Sequence, residues 1–526
     1  MDEAQAAEAP RASRMGAAAL LLGASVLVSR LLGYAREALL AYRVGAGAST
    51  DAYYAAFQIP DLLNHLLAGG ALSIAFLPLY TRHLAARDAA TADHLLATVL
   101  GTLTATAIAA TALLWWWAAP LVALQFPRFD PATQAMTVHL TRIVLPAQVF
   151  FIAGGIINAT LFAHGRFAAA AAAPLLYNGG IIAGGLLAPR LGLSVEGFAW
   201  GALAGAALGP FLAPLLAARR RVRVHARVAP FDRVFLGYLL IAAPLILGQT
   251  LLTVDEWYQR WFGALLGAGA VSHLSYARRL MQVPVAVVGQ AIAAAALPTL
   301  SRLFAEHRQD ELNRVVLRTL QASLALAVLA AAACFALAQP LVRLVYQHGA
   351  FGAADTAAVA SILALLCFAV PAWIAQQIIV RAFYARADTV RPMLLGTAVA
   401  LASIPLYVAL GRRDGVRGLA LAAALAMTAN AMATLIWARW LHGAPALGPL
   451  FATAARAAVV AAPAAALARW AAGPTARSVP EAAVTLAIGA GLFALTSGVG
   501  IALVGDEPMR DVLRRVTRRR RKGLFP

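Results

Sequence analysis

Acidic side chains are scarce in this chain of 526 residues: 23 Asp and Glu stand against 43 Lys and Arg, and the four charged types together make up only 13% of it. Asp255-Glu256 is the one adjacent acid pair that lies deep in an apolar run. A membrane-embedded enzyme acting on a lipid phosphate needs paired acids for a metal, or His and Ser for phosphoryl transfer, usually on sizeable external loops. Here His139, His164, His273 and His348 are scattered. Connections of about 5–20 residues also leave no room for a catalytic domain. Cysteine is rarer still. Cys334 and Cys367 both sit in apolar runs, which excludes a disulfide framework and a cysteine-based metal site. The expectation is a non-enzyme without metal or cofactor. The net charge of +20 would suit nucleic acid, but the basic residues sit in short connections and at the C-terminus. The cytoplasmic arginine bias of membrane proteins accounts for that without a nucleic-acid partner.

Apolar sequence is what the chain has in abundance, at 61% with a mean hydropathy of +0.74. Runs of 18 residues or more recur along its length, so the predicted fold class is an all-α polytopic membrane protein. Length and polar punctuation give about fourteen transmembrane helices. They fall near 16–44, 51–80, 95–124, 136–162, 167–188, 196–218, 234–265, 270–300, 315–338, 354–384, 391–411, 417–440, 450–472 and 481–505. Residues 1–14 read as a disordered tail without a signal-peptide cleavage pattern. With Arg11 and Arg14 inside, the even-numbered connections are cytoplasmic. Those connections carry Arg82 and Arg87, Arg166, the run from Arg219 to Arg227, Arg302 to Arg314, and Arg386 and Arg391. Arg412, Arg413 and Arg417 go against this bias, yet the balance places both termini in the cytoplasm.

The chain also repeats itself. Gly45-Ala46-Gly47 followed by Tyr54 returns as Gly267-Ala268-Gly269 followed by Tyr276, and Ile59-Pro60 as Val283-Pro284. Leu77-Pro78 returns as Leu297-Pro298, Phe162-Ala163 as Phe383-Tyr384, and Val195-Glu196-Gly197 as Val416-Arg417-Gly418. Matches in order at a near-constant offset mark an internal duplication. Six spans separate equivalent positions, so the halves are parallel repeats about an axis along the membrane normal. The expected architecture is two parallel six-helix lobes, 15–225 and 226–445, plus two C-terminal helices in 446–505 and a basic tail at 506–526.

Charge inside the spans points to function. Arg30, Arg36, Glu37 and Arg43 lie in or just beyond the first span, which ends at Gly45-Ala46-Gly47. The second span opens with Thr50-Asp51 and continues through Asp61, Asn64 and His65. The seventh and eighth carry Asp255, Glu256, Arg260, Tyr276, Arg278, Arg279 and Gln282. Charge in the hydrocarbon core is costly and marks water-filled, protein-enclosed pathways. Guanidinium is the side chain shaped for phosphate, so the set predicts a hydrated cationic chamber for an anionic substrate. The alternative is internal ion pairing, Arg30 with Glu37 and Arg260 with Glu256. Arg43 and Arg278 read as snorkelling or pairing residues.

At these positions the chain resembles the MurJ (MviN) family of lipid II flippases. The likeness runs through Ser29-Arg30-Leu31-Leu32-Gly33-Tyr34-Ala35-Arg36-Glu37, Thr50-Asp51-Ala52, Ile59-Pro60-Asp61-Leu62-Leu63 and Gly70-Ala71-Leu72-Ser73. It continues through Tyr276 to Pro284, Leu297 to Ser301 and Tyr384 to Pro392, covering about residues 1–440. The resemblance implies the fold of the multidrug/oligosaccharidyl-lipid/polysaccharide exporter superfamily, with Arg30, Arg36 and Arg279 as cavity arginines and Asp51 as an essential acid. Polarity inside the charged spans makes Asn64, Arg278 and Gln282 further candidates for substrate contact, while the resemblance offers Asp255 and Asp388 as candidates for ion binding and a lipid-tail groove shaped by the last two spans. The chain departs from the family pattern where Asn64 and His65 replace helix 2 arginines, Gly69 replaces a glutamate, and Arg278-Arg279 with Gln282 replaces an Asp-Arg and a Glu.

The implied activity moves the lipid II head group to the outer leaflet of the bacterial inner membrane, coupled to membrane potential or a monovalent cation. Membrane lipids and the cell-wall synthesis machinery are the implied partners. Competing expectations are a flippase for another polyprenyl-diphosphate glycan, a superfamily drug exporter, a membrane-embedded polyprenyl-phosphate enzyme, and a passive division scaffold. A cationic chamber disfavours cationic drugs, and buried arginines have no purpose in a scaffold.

Overall fold

The computed structural model describes the backbone of residues 2–67, 71–219, 222–251, 254–386, 388–473, 478–511 and 513–514. Side chains are described for these except 2–20, 66–67, 71–74, 243–251, 254–256, 291 and 294. Among the described residues there are helices and no strands. Where no water can reach, a helix satisfies each backbone N–H and C=O within its own segment. Its hydroxyl side chains do the same. Thr106, Thr137, Thr160, Ser275 and Thr428 each donate to the carbonyl four residues earlier, at 2.7–3.0 Å.

Nine described helices are long and apolar enough to cross a membrane, and a tenth span arises if Ala353–Cys367 and Val370–Ala385, bent by 46°, count as one. The count of about fourteen is not reached by this measure, for identifiable reasons. The 51–80 stretch is broken into Ala48–Ala56, Gln58–Leu67 and Ala71–Ala85, and the 234–265 stretch into Arg233–Leu251 and Val254–Ala264. The helices expected at 391–411 and 417–440 lie on either side of a kink at Gly415, φ 58°, ψ −134°, and Val390–His442 counts once by this measure. That backbone geometry suits glycine. Residues 2–14, expected as a disordered tail, continue the first helix, Asp2–Val44. Their alanine and glutamate are strong helix formers.

Proline shapes several helices from within. Ala207–Leu212 adopts wide π-helical turns around Pro210, and Val285–Gln290 does so directly after Pro284. A proline removes one ladder donor and pushes on the preceding turn, and a wider turn accommodates both.

The chain divides into two compact units, Met1–Thr253 with Gly267–Gly269, and Val254–Leu266 with Ala270–Pro526. In the first, Phe76, Tyr80, Leu95, Val99, Ile152, Ile156, Phe235 and Tyr238 form a continuous core. Helix Arg233–Leu251 packs there against Ala71–Ala85. Helices Ala168–Leu187 and Glu196–Ala206 approach each other through glycines. A Cβ on Gly180, Gly184 or Gly201 would lie 2.2–2.6 Å from facing backbone atoms. In the second unit, Tyr276, Tyr346 and Phe351 interlock with ring centroids 4.8–5.8 Å apart.

Candidate functional site

The first unit holds its intramembrane charge in a linked set. On helix Asp2–Val44, Arg36 Nη2 donates to Glu37 Oε1 at 2.6 Å, and Arg36 Nη1 donates to Asn178 Oδ1 at 3.2 Å. Tyr54 donates its hydroxyl to the other Glu37 oxygen at 2.5 Å. Asn178 donates in turn to Ser29 Oγ at 3.2 Å and to the Pro174 carbonyl at 3.1 Å. Glu37 is 2% exposed and Arg36 is half-buried. Glu37 thus binds Arg36, the next residue along, a pairing that the sequence reading did not include. A long guanidinium arm overcomes the roughly 100° between neighbouring positions on a helix. The other expected pair cannot be described, because the Glu256 side chain lies outside the described residues, as does that of Asp255.

Arg30 lies on an exposed face of the same helix, beside Leu27 and Leu31, which are also exposed. Arg43 is exposed and lies 5.4 Å from the centre of the Tyr42 ring, as a snorkelling cation would. Asp51 is fully buried, and its Oδ2 accepts the Gly269 N–H at 2.6 Å. The neighbouring Thr50 hydroxyl donates to the Gly45 carbonyl at 2.8 Å. Gly45, Gly267 and Gly269 take φ of 80°, 114° and 88°, the left-handed region that favours glycine, so the repeated Gly-Ala-Gly marks two chain reversals. Asn64 is half-buried on helix Gln58–Leu67, next to His65, whose Nδ1 lies 2.6 Å from the Asp61 carbonyl oxygen.

The second unit holds Arg278, Arg279 and Gln282 on helix Ala270–Pro284. Arg278 is buried, with its guanidinium 5.1 Å from the centre of the Trp373 ring. Arg279 and Gln282 are half-buried. His273 on the same helix bonds Asp355 at 2.9 Å. Asp388 accepts from the Arg391 backbone N–H at 3.2 Å and from Arg391 Nη1 at 3.1 Å, as a capping residue does.

Asn178 and Trp373 enter these sites without having been singled out in the sequence, and Ser29 and Tyr54 were noted there only as parts of a motif and of the repeat. Asn178 left a signal: an amide inside a run otherwise apolar from Ala168 to Leu187. Trp373 left none, because a tryptophan in an apolar span is unremarkable.

Long apolar helices, broken or bent at proline and glycine, define a polytopic helical membrane protein. Solved structures with this fold include a lipid II flippase MurJ in an inward closed conformation, at TM-score 0.77 and 20% identity, covering 92% of this chain and 99% of that one. An inward-facing multidrug resistance MATE transporter of the MOP superfamily follows at TM-score 0.68 and 16% identity, covering 81% and 98%. The chain belongs to the lipid II flippase MurJ family, whose model matches residues 40–479. A relative from Rhizobium tropici, named probable lipid II flippase MurJ, is 30% identical over 78% of this chain and 79% of its own length. The lipid II flippase MurJ of Burkholderia cenocepacia is 30% identical over 73% and 75%.

Proposed function

We propose that this protein carries the head group of lipid II from the cytoplasmic to the outer leaflet of the bacterial inner membrane by alternating access, with both termini in the cytoplasm. The disaccharide-peptide diphosphate cannot cross about 30 Å of hydrocarbon unaided, whereas its polyprenyl tail stays in lipid. Arg30, Arg36 and Arg279 bind the diphosphate, Arg278 adds positive field, and Asn64 and Gln282 meet the sugar or peptide. Asp51 acts by holding Gly269, and the chain reversals at 45–47 and 267–269 serve as the flexible ends.

The observation that carries this reading is the way Arg36 is held. A guanidinium has five N–H donors, and the contacts to Glu37 and Asn178 use one on each terminal nitrogen. The pairing therefore fixes the fork in place without exhausting it, which is what preorganised phosphate recognition requires. An inside-negative potential assists outward movement of the anion by roughly 2.3 kcal/mol per charge per 100 mV.

Complementation of a strain depleted of its lipid II flippase, with an assay of head-group exposure on the outer leaflet, tests the proposal. Rescue by the intact chain is expected. Failure there, together with rescue of an O-antigen flippase defect, would move the assignment to another polyprenyl-diphosphate glycan.

A further inference from the structure

Two cavities in the second unit share a wall. One, of about 390 Å³, is lined by Arg343 and Arg469 together with Gln339, Ser361, Thr485 and alanines, with no carboxylate among the described lining residues. The other, of about 500 Å³, is an apolar groove between helices Gln309–Ala336 and Leu447–Ala471, bounded by Val328, Ala332, Phe368, Ala461 and Ala465. Phe335 and Arg469 belong to both. A cationic chamber opening onto an apolar groove is the negative image of an anionic amphiphile.

We propose that this pair of cavities is a binding site for an anionic membrane phospholipid, with its phosphodiester between Arg343 and Arg469 and one acyl chain along the groove. Both guanidiniums are prepositioned. Arg343 Nε donates to Gln347 Oε1 at 2.7 Å, and that oxygen also accepts the Thr356 hydroxyl at 2.8 Å. This contact leaves the Arg343 terminal nitrogens as the fork that matches phosphate oxygens. Arg469 lies 5.9 Å from the centre of the Phe335 ring, at the junction of chamber and groove. Residues Val328 to Phe335 span about 10 Å of helix, which suits a stretch of one acyl chain rather than a long polyprenyl tail. A pair of unrelated snorkelling arginines would not converge on one chamber together with Gln339 and Thr485.

The test uses the full chain, delipidated in neutral detergent, with native mass spectrometry of retained phosphatidylglycerol and phosphatidylcholine. The wild-type protein is expected to retain phosphatidylglycerol about tenfold more tightly than phosphatidylcholine, roughly what one charge-assisted contact provides. R343Q/R469Q removes that preference, and A461F, which fills the groove, lowers retention of both lipids alike. Should the double variant fail to fold, R469Q alone carries the same test, since Arg469 is exposed.

Undiminished preference in the arginine variants overturns the proposal. So does displacement of phosphatidylglycerol by millimolar inorganic phosphate, which would mark a free-anion site. Retention of a polyprenyl monophosphate far above phosphatidylglycerol overturns the choice of lipid. Transport is not the readout, so the outcome is independent of the flippase reading.

Discussion

In the first unit Arg36 shares the buried Glu37 carboxylate with Tyr54 and is steadied by Asn178, whereas in the second Arg278 lies against the face of Trp373. A buried acid fixes a guanidinium and offsets its charge at once. An aromatic face adds the attraction of its ring quadrupole for the cation. The two units thus show different contacts around a guanidinium, a carboxylate and an amide in one and an indole face in the other. Helix packing differs as well. Gly201 lets two helices meet backbone to backbone in the first unit, and its counterpart at the 221-residue offset is Ala422, which is fully buried.

The sharpest way to break the comparison is at Arg36. R36A is expected to abolish head-group translocation while the protein still reaches the membrane, so normal growth of a depleted strain carrying it would sink the proposed role. E37A should also destabilise, by less than the about 3–5 kcal/mol of a fully buried pair, because it leaves the half-buried Arg36 without that carboxylate. Thermal unfolding in detergent reads that effect.

Next in size is the glycine contact. In G201A the new methyl would meet the Gly180 carbonyl oxygen at 2.5 Å, and overpacking of this kind costs about 1–3 kcal/mol. The mirror change, A422G, should cost no more than about 1 kcal/mol through lost helix propensity. Equal losses at the two sites would show that the helix pairs are not packed differently.

W373A removes the ring under Arg278 and is expected to cost about 2 kcal/mol, with W373F restoring part of it. A thermal-unfolding series over the three residues distinguishes a cation held by a ring from simple volume loss, which phenylalanine would repair more fully.

The smallest effect lies outside the spans. Asp130 caps helix Pro131–Val144, accepting from Thr133 and Ala132, and these hydrogen bonds hold its carboxyl below the usual carboxylate range. A depressed folded-state value means the stabilisation is complete above the unfolded pKa, near 4, and fades as pH falls through the folded value. D130A should therefore lower the unfolding temperature slightly at pH 7 and lose that difference in acid.

Composition and period alone told much of this. Apolar runs and their punctuation located the helical stretches, and the repeated Gly-Ala-Gly located two reversals that the positive φ of Gly45, Gly267 and Gly269 explain. The charged residues of the first and eighth spans were legible because charge is so rare in apolar sequence. Their partners were not. Helical periodicity gives no hint of Arg36 beside Glu37, because that contact depends on side-chain reach.

By itself the sequence determined that the chain folds as apolar helices, that short motifs recur along it, and that arginine is set among apolar residues. Those properties follow from local hydropathy and from comparing one stretch of chain with another. Only the tertiary structure decided that Asn178 bridges Ser29 and Arg36, that Asp51 holds the Gly269 backbone, and that Arg343 and Arg469 line one chamber. Each of those contacts joins residues more than 120 positions apart. Side-chain length, rotamer and helix crossing select such partners, and none of these is written in the period of a single helix.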